Sequence, residues 1–66
     1  MLLTANLQRA INVAAQKHLG QTRKADGLPY IVHPFGVAWI LANYTADEEI
    51  VISGLLHDVL EDVKGE

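Results

Sequence analysis

The chain contains no cysteine, and this absence restricts how 66 residues can be held in one fold. A chain of about 60 residues buries only about 60% of the surface that it exposes when unfolded, and below roughly 70 to 80 residues a domain usually needs a disulfide, a metal ion or a partner chain. Disulfides and thiolate metal sites are excluded here. We therefore expect a metal ion held by histidine and carboxylate groups, association with another chain, or further chain of the same domain.

The composition is typical of a globular protein. Half of the residues are apolar, only two are proline, and the formal net charge is -3. This acidic balance argues against binding of a nucleic acid polymer, although Lys17, Arg23 and Lys24 form a local basic cluster. The N-terminal residues lack a basic segment followed by an apolar run, and no apolar run reaches about 18 residues. We expect a cytoplasmic protein with no membrane segment.

Apolar residues at helical spacing predict an all-α fold of three helices. The first runs from about Thr4 to Leu19, with Thr4 as N-cap and Gly20 as the stop. Residues 20–34 contain glycine and proline without periodicity, which indicates a loop with a short extended piece at residues 30–32. The second helix begins at Pro34 and runs to about Asn43.

The third helix opens with Thr45 and Glu48 at capping-box spacing, runs to about Val63 and stops at Gly65. Its residues 50–52 are apolar all round, which predicts burial on all sides. Its second half instead carries four ionisable groups that span about 140° of the helix surface. Gly54 falls in the middle of that face, where a missing side chain would leave room for another group to approach. The four groups are His57, Asp58, Glu61 and Asp62.

These four groups have two interpretations. A solvated helix edge is possible, although each carboxylate near a helix C-terminus would cost a few tenths of a kcal/mol against the helix dipole. A metal and water-activating site is the other, because imidazole nitrogen and carboxylate oxygen together suit Mn, Fe or Zn. On this helix alone both interpretations stay open.

Two further histidines bear on the choice. His33 precedes Pro34, and a residue before proline is biased toward an extended conformation, so we expect His33 to be fixed at the start of the second helix as a ligand or as a capping or packing residue. His18 lies on the apolar stripe of the first helix. We predict that it is a core histidine hydrogen-bonded to the backbone, not a ligand.

The segments HLGQTRKADGLPYIVHP and LLHDVLED, taken together, resemble the N-terminal part of the HD superfamily, and within it the RelA/SpoT-type alarmone hydrolases. The resemblance covers most of the chain, from His18 to Asp62. It implies an HD-domain-like helical array of which residues 1–66 are the N-terminal portion. In that family the domain continues through several more helices, one of which supplies a second aspartate to the metal ion.

The resemblance also implies roles for individual residues. His33, His57 and Asp58 match the ligands of a divalent ion, usually Mn²⁺. Glu61 and Asp62 match the pair that positions or deprotonates the attacking water. The basic pair that contacts the guanosine nucleotide is matched by Arg23 and Lys24, and the implied reaction removes the 3′-pyrophosphate from (p)ppGpp.

Three functions of different class remain. The first is this guanosine 3′-pyrophosphate hydrolase, which in a chain of 66 residues would be inactive or marginal. The second is an HD phosphohydrolase with another nucleotide substrate, since metal ligands do not select the base. The third is a non-catalytic helical module that self-associates through its uncovered apolar surface.

Overall fold

The described part of the chain forms three helices, as the sequence predicts. The computed structural model describes residues 2–65, with side chains described for residues 2–59. The helices are α1 (Ala5–Lys17), α2 (Val32–Tyr44) and α3 (Glu48–Gly65). Within residues 2–65 the extended pairing is limited to one isolated antiparallel bridge between Thr22 and Pro29. The fold is therefore all-α.

Helix α1 begins and ends close to where the sequence places it. The Leu7 N–H donates a hydrogen bond of 3.1 Å to the Thr4 hydroxyl, which confirms the predicted N-cap. The helix ends at Lys17, two residues before the predicted Leu19, and Gly20 follows with φ of 85°, a left-handed value that suits glycine at a helix end.

The loop after α1 is folded back on itself. The Arg23 N–H donates to the Leu28 carbonyl at 2.8 Å, and the Tyr30 N–H donates to the Gln21 carbonyl at 2.9 Å. Gly27 turns the chain with φ of 75°. The extended residues are thus 22 and 29, and the prediction of an extended piece at residues 30–32 is wrong.

Helix α2 begins at Val32, two residues earlier than predicted. His33 is therefore helical, although it precedes Pro34. Pro34 is the third residue of the helix, where a backbone N–H has no intrahelical acceptor, so the missing donor costs nothing. Pro34 is also fully buried, and its burial offsets the bias of a residue before proline against helical backbone.

Helix α3 is capped differently from the prediction. Asp47, not Thr45, accepts a hydrogen bond at the helix start, from the Glu49 N–H at 3.0 Å. Thr45 is the C-cap of α2, and its hydroxyl accepts from the Asp47 N–H. Glu48 accepts a hydrogen bond from the Thr4 hydroxyl and so links α3 to the start of α1. The predicted capping box is wrong because the end of α2 uses Thr45.

The core lies where α3 packs against both other helices. Leu55 is fully buried at its centre, whereas Ile50 is 47% exposed, so the prediction that residues 50–52 are buried on all sides is wrong at residue 50. The core is formed by Leu7, Ala10, Ala14, Ala38, Val51, Leu55 and Val59.

Above this core the apolar side chains of α1 and α2 leave an open groove. The groove has a volume of about 330 Å³. Helix α2 lines it with Phe35 and Trp39, which are 45% and 66% exposed. We refer to it as the apolar groove; it is lined by Leu3, Leu7, Ile11, Phe35, Ala38, Trp39, Ala42, Val51 and Leu55.

Among the residues that the structure describes, none of the helices is both long enough and apolar enough to cross a membrane.

Candidate metal centre

The first turn of α2 and the second half of α3 bring His33, His57 and Asp58 together. One potential ligand atom from each residue lies within 4.8 Å of the other two. His57 Nε2 is 2.9 Å from Asp58 Oδ1, and His33 Nε2 is 3.4 Å from Asp58 Oδ2. Two residues adjacent on α3 thus meet a third that is distant in sequence, and their atoms are close enough to share one ion. We refer to this candidate site of three residues as the metal centre.

The orientation of the His57 ring is set by its own helix. Its Nδ1 lies 2.6 Å from the Gly54 carbonyl oxygen, which can only accept, so Nδ1 carries the proton. In a neutral ring the lone pair then sits on Nε2 and faces the Asp58 carboxylate at 2.9 Å. Two electron-rich atoms at this distance repel unless a proton or a cation lies between them. The donor set therefore fits a divalent ion, and the bond to Gly54 is of the kind that orients metal-binding histidines.

Asp58 is the most enclosed member of the metal centre. Its side chain is 13% exposed, compared with 47% for His33 and 45% for His57. A carboxylate that is largely removed from water requires partners. The Tyr30 hydroxyl supplies one by donating a hydrogen bond of 3.0 Å to Asp58 Oδ2.

A row of four aromatic rings leads from the interior to the metal centre. His18 and Tyr30 have ring centroids 4.9 Å apart, Tyr30 and His33 5.7 Å, and His33 and His57 6.2 Å. His18 is 2% exposed, as expected for a core histidine, and it lies outside the metal centre. Its Nδ1 lies 2.9 Å from the side-chain oxygen of Gln21.

The predicted basic residues line an open cleft beside the metal centre. Arg23 and Lys24 belong to the loop after α1 and border a cleft of about 640 Å³. Arg23 Nε lies 3.6 Å from Asp26 Oδ1, but both side chains are about 40% exposed, and such a pair is weak. His33 lines this cleft and is also part of the metal centre. The structure thus brings the predicted basic pair and the predicted ligands to two adjoining sites.

The space beside Gly54 is filled by a neighbouring helix. A Cβ atom at position 54 would lie 2.4 Å from Leu41 Cδ1 and 3.5 Å from Val37 Cγ1. The missing side chain therefore admits α2, not a ligand. The prediction that the missing side chain leaves room for another group to approach is confirmed, and the approaching group is the Leu41 side chain.

The side chains of Glu61 and Asp62 lie outside the described part of the structure. Their predicted roles stay predictions.

Tyr30 is the residue of this site that the sequence reasoning missed. The sequence predicts an extended piece at residues 30–32, and that prediction gives no reason to expect residue 30 near α3. The available signal is a tyrosine three residues before a candidate ligand, since a buried tyrosine hydroxyl normally finds a hydrogen-bond partner.

Comparison with known proteins assigns the family. The HD domain family matches residues 10–66. A guanosine-3′,5′-bis(diphosphate) 3′-pyrophosphohydrolase of Borreliella burgdorferi is 48% identical over 58 residues, which are 88% of this chain. The bifunctional (p)ppGpp synthase/hydrolases SpoT of Escherichia coli and RelA of Mycobacterium tuberculosis are 52% and 50% identical, each over 85% of the chain. The chain spans about 8% of the length of each of these relatives.

These matches confirm the resemblance inferred from the sequence. HD domains bind divalent metal ions, and a His–His–Asp group of suitable spacing is present here. The chain belongs to the HD domain family.

Proposed function

We propose that this chain contributes the metal-binding portion of an HD phosphohydrolase that removes the 3′-pyrophosphate from (p)ppGpp and yields GDP or GTP. The observation that carries the proposal is the contiguity of two sites. A group of His33, His57 and Asp58 borders a cleft that carries Arg23 and Lys24. The hydrolase activity named for the relatives supports the choice of substrate.

His33, His57 and Asp58 hold the divalent ion in this proposal, and Mn²⁺ is the ion that we propose. When bound, such an ion supplies Lewis acidity, which lowers the pKa of water and stabilises charge on phosphoryl oxygens. The protein orients its own donors in advance. The Gly54 carbonyl fixes the ring of His57, and the partly enclosed position of Asp58 keeps its carboxylate near both histidines.

Arg23 and Lys24 bind the phosphate groups of the nucleotide. Arginine forms paired hydrogen bonds with phosphate oxygens, and lysine offers a compact positive charge. Both residues are on the loop that the Gln21 to Tyr30 hydrogen bond closes, so they are held near His33.

Glu61 and Asp62 orient the attacking water and accept its proton. The water oxygen forms a bond to the phosphorus that is attached to the 3′ oxygen. The bond between this phosphorus and the 3′ oxygen breaks, pyrophosphate leaves, and the 3′ oxygen takes up a proton. One water molecule thus supplies both the oxygen that binds the phosphorus and the proton that the 3′ oxygen needs.

Thermal unfolding with and without Mn²⁺ tests the metal centre. We expect the ion to raise the melting temperature of the wild-type chain, because a ligand that binds only the folded state stabilises it. His57→Ala should abolish this rise. Gln16→Ala, at an exposed position of α1, is the control and should keep it. An equal rise in the wild type and in His57→Ala would refute the metal centre.

The nucleotide is tested separately. Arg23→Ala should weaken (p)ppGpp binding and leave the Mn²⁺-induced rise intact, because Arg23 lines the cleft and is outside the group of three ligands. A panel of other nucleotides measured on the wild type shows whether guanosine is preferred. Equal binding of all of them would favour an HD phosphohydrolase with another substrate.

A further inference from the structure

We propose that Tyr30 is a positioning residue of the metal centre. Its hydroxyl fixes the orientation of the Asp58 carboxylate. This inference rests on the proposed function, because it assumes that Asp58 is a metal ligand. It adds a residue from the loop after α1 to a centre that otherwise comes from α2 and α3.

The two oxygens of Asp58 have different neighbours. Oδ1 faces His57 Nε2 at 2.9 Å, and Oδ2 accepts the hydrogen bond from the Tyr30 hydroxyl at 3.0 Å. His33 Nε2 is farther from Oδ2, at 3.4 Å. A carboxylate without the phenol could rotate about its Cβ–Cγ bond, because that torsion has a broad energy profile. The hydroxyl selects one rotation and thereby presents Oδ1 toward His57.

Tyr30 is itself held from several directions. Its N–H donates to the Gln21 carbonyl at 2.9 Å, which fixes its backbone. Its ring lies between those of His18 and His33, at centroid distances of 4.9 and 5.7 Å. His18 is buried and cannot move away without opening the core. The hydroxyl is thus placed before any ion binds, and groups that fix metal ligands in this way change affinity when they are removed.

Tyr30 also forms part of the wall of the basic cleft, together with Arg23 and Lys24. The same side chain therefore touches a metal ligand through its hydroxyl and borders the space proposed for the nucleotide. This arrangement makes Tyr30 the link between the two adjoining sites.

Removal of the hydroxyl alone tests the inference. Tyr30→Phe keeps the ring and its stacking, and Co²⁺ affinity is measured by competition with a chelating dye. We expect affinity to fall by about 10- to 100-fold, the usual effect of losing a group that orients a metal ligand. The visible absorption of bound Co²⁺, which depends on ligand geometry, should change as well. Tyr44→Phe is the matched control, because Tyr44 is 85% exposed at the end of α2 and should leave both readouts unchanged.

The outcomes separate this inference from the proposed function. If the wild type binds Co²⁺ and His57→Ala does not, the metal centre stands. Unchanged affinity and absorption in Tyr30→Phe would then overturn the positioning role alone. A fall in metal-free melting temperature without a change in Co²⁺ affinity would overturn it too, because that pattern shows a structural role. If the wild type does not bind Co²⁺, the proposed function and this inference both fail.

A second measurement is used if Tyr30→Phe loses helix, which far-UV circular dichroism would reveal. In a Tyr44→Phe background, 3-fluorotyrosine labels Tyr30 alone, since the chain has two tyrosines. Addition of Zn²⁺ should shift this ¹⁹F resonance in the otherwise wild-type chain and leave it in place in His57→Ala. A resonance that Zn²⁺ does not move would overturn the inference.

Discussion

Helix α2 takes part in two regions that are built on different principles. At its first turn, His33 joins a set of directional contacts with short distances to Asp58 and the Tyr30 ring. On the groove side of the same helix, Phe35 and Trp39 stack with ring centroids 6.2 Å apart and are 45% and 66% exposed. In the metal centre a few directional contacts fix the positions of the side chains. The groove contributes apolar surface, whose burial is favourable but has no preferred direction. Stability and chemistry should therefore respond to different substitutions.

The largest effect is expected under the groove, at Leu55. This residue is fully buried, and Leu55→Ala should lower the free energy of unfolding by about 2 to 5 kcal/mol through lost burial and a residual cavity. A core of this size rarely supplies more than about 3 to 5 kcal/mol, so the variant should be largely unfolded at 25 °C. Urea unfolding followed by circular dichroism measures this. Leu19→Ala, at an 84% exposed position, is the control and should change stability by about 0.5 kcal/mol or less. A similar decrease in the free energy of unfolding in both variants would contradict the prediction that Leu55 is the residue on which stability depends.

The next effect belongs to the chemistry. Glu61→Gln keeps the size of the side chain and removes its charge, and in a protein that contains the complete HD domain we expect hydrolysis of (p)ppGpp to fall by about 10² or more. Divalent-ion affinity should be retained, because the proposed ligands are other residues. Steady-state turnover and dye competition measure the two properties. Glu49→Gln, at an exposed position in the first turn of α3, provides the control. Unchanged turnover would assign Glu61 to the solvated edge of the helix.

The smallest effect is expected at the wall of the groove. Trp39→Gln should cost about 1 kcal/mol or less, because two thirds of the side chain is already exposed. The sequence also predicts that the isolated chain self-associates through uncovered apolar surface. Light scattering over a range of protein concentrations tests this, and Trp39→Gln should shift the chain toward the monomer. Ile40→Gln, 59% exposed and not part of the groove, is the control. A wild-type monomer with concentration-independent unfolding would contradict the prediction.

Local signals predicted much of the helical structure. Thr4 and Gly20 mark the start and the stop of α1 because capping and left-handed backbone depend on neighbouring residues alone. The sequence places the start of α2 two residues too late, because the burial of Pro34 outweighs a local bias and is a tertiary effect. The predicted cap of α3 is wrong for a related reason. Thr45 is used by the preceding helix, and Glu48 by the start of α1.

The sequence predicts the residues of the metal centre but does not predict the contacts that support them. His57 and Asp58 are adjacent, so their common face follows from helix geometry. The hydrogen bond from Tyr30 to Asp58 spans 28 residues and depends on how the loop after α1 closes. Helical periodicity carries no information about such a contact. A loop that places one hydroxyl has to be seen in three dimensions.

The close approach at Gly54 links two positions that are distant in the sequence. The Leu41 side chain fills the volume that a larger residue at position 54 would need. Positions 41 and 54 therefore share one space between α2 and α3, and a redesign of this interface has to choose both residues together. A longer side chain on α3 requires a shorter one on α2, or the helices must separate. Since α2 also carries His33 and α3 carries His57, a change in their spacing at this contact would alter the distance between two proposed metal ligands.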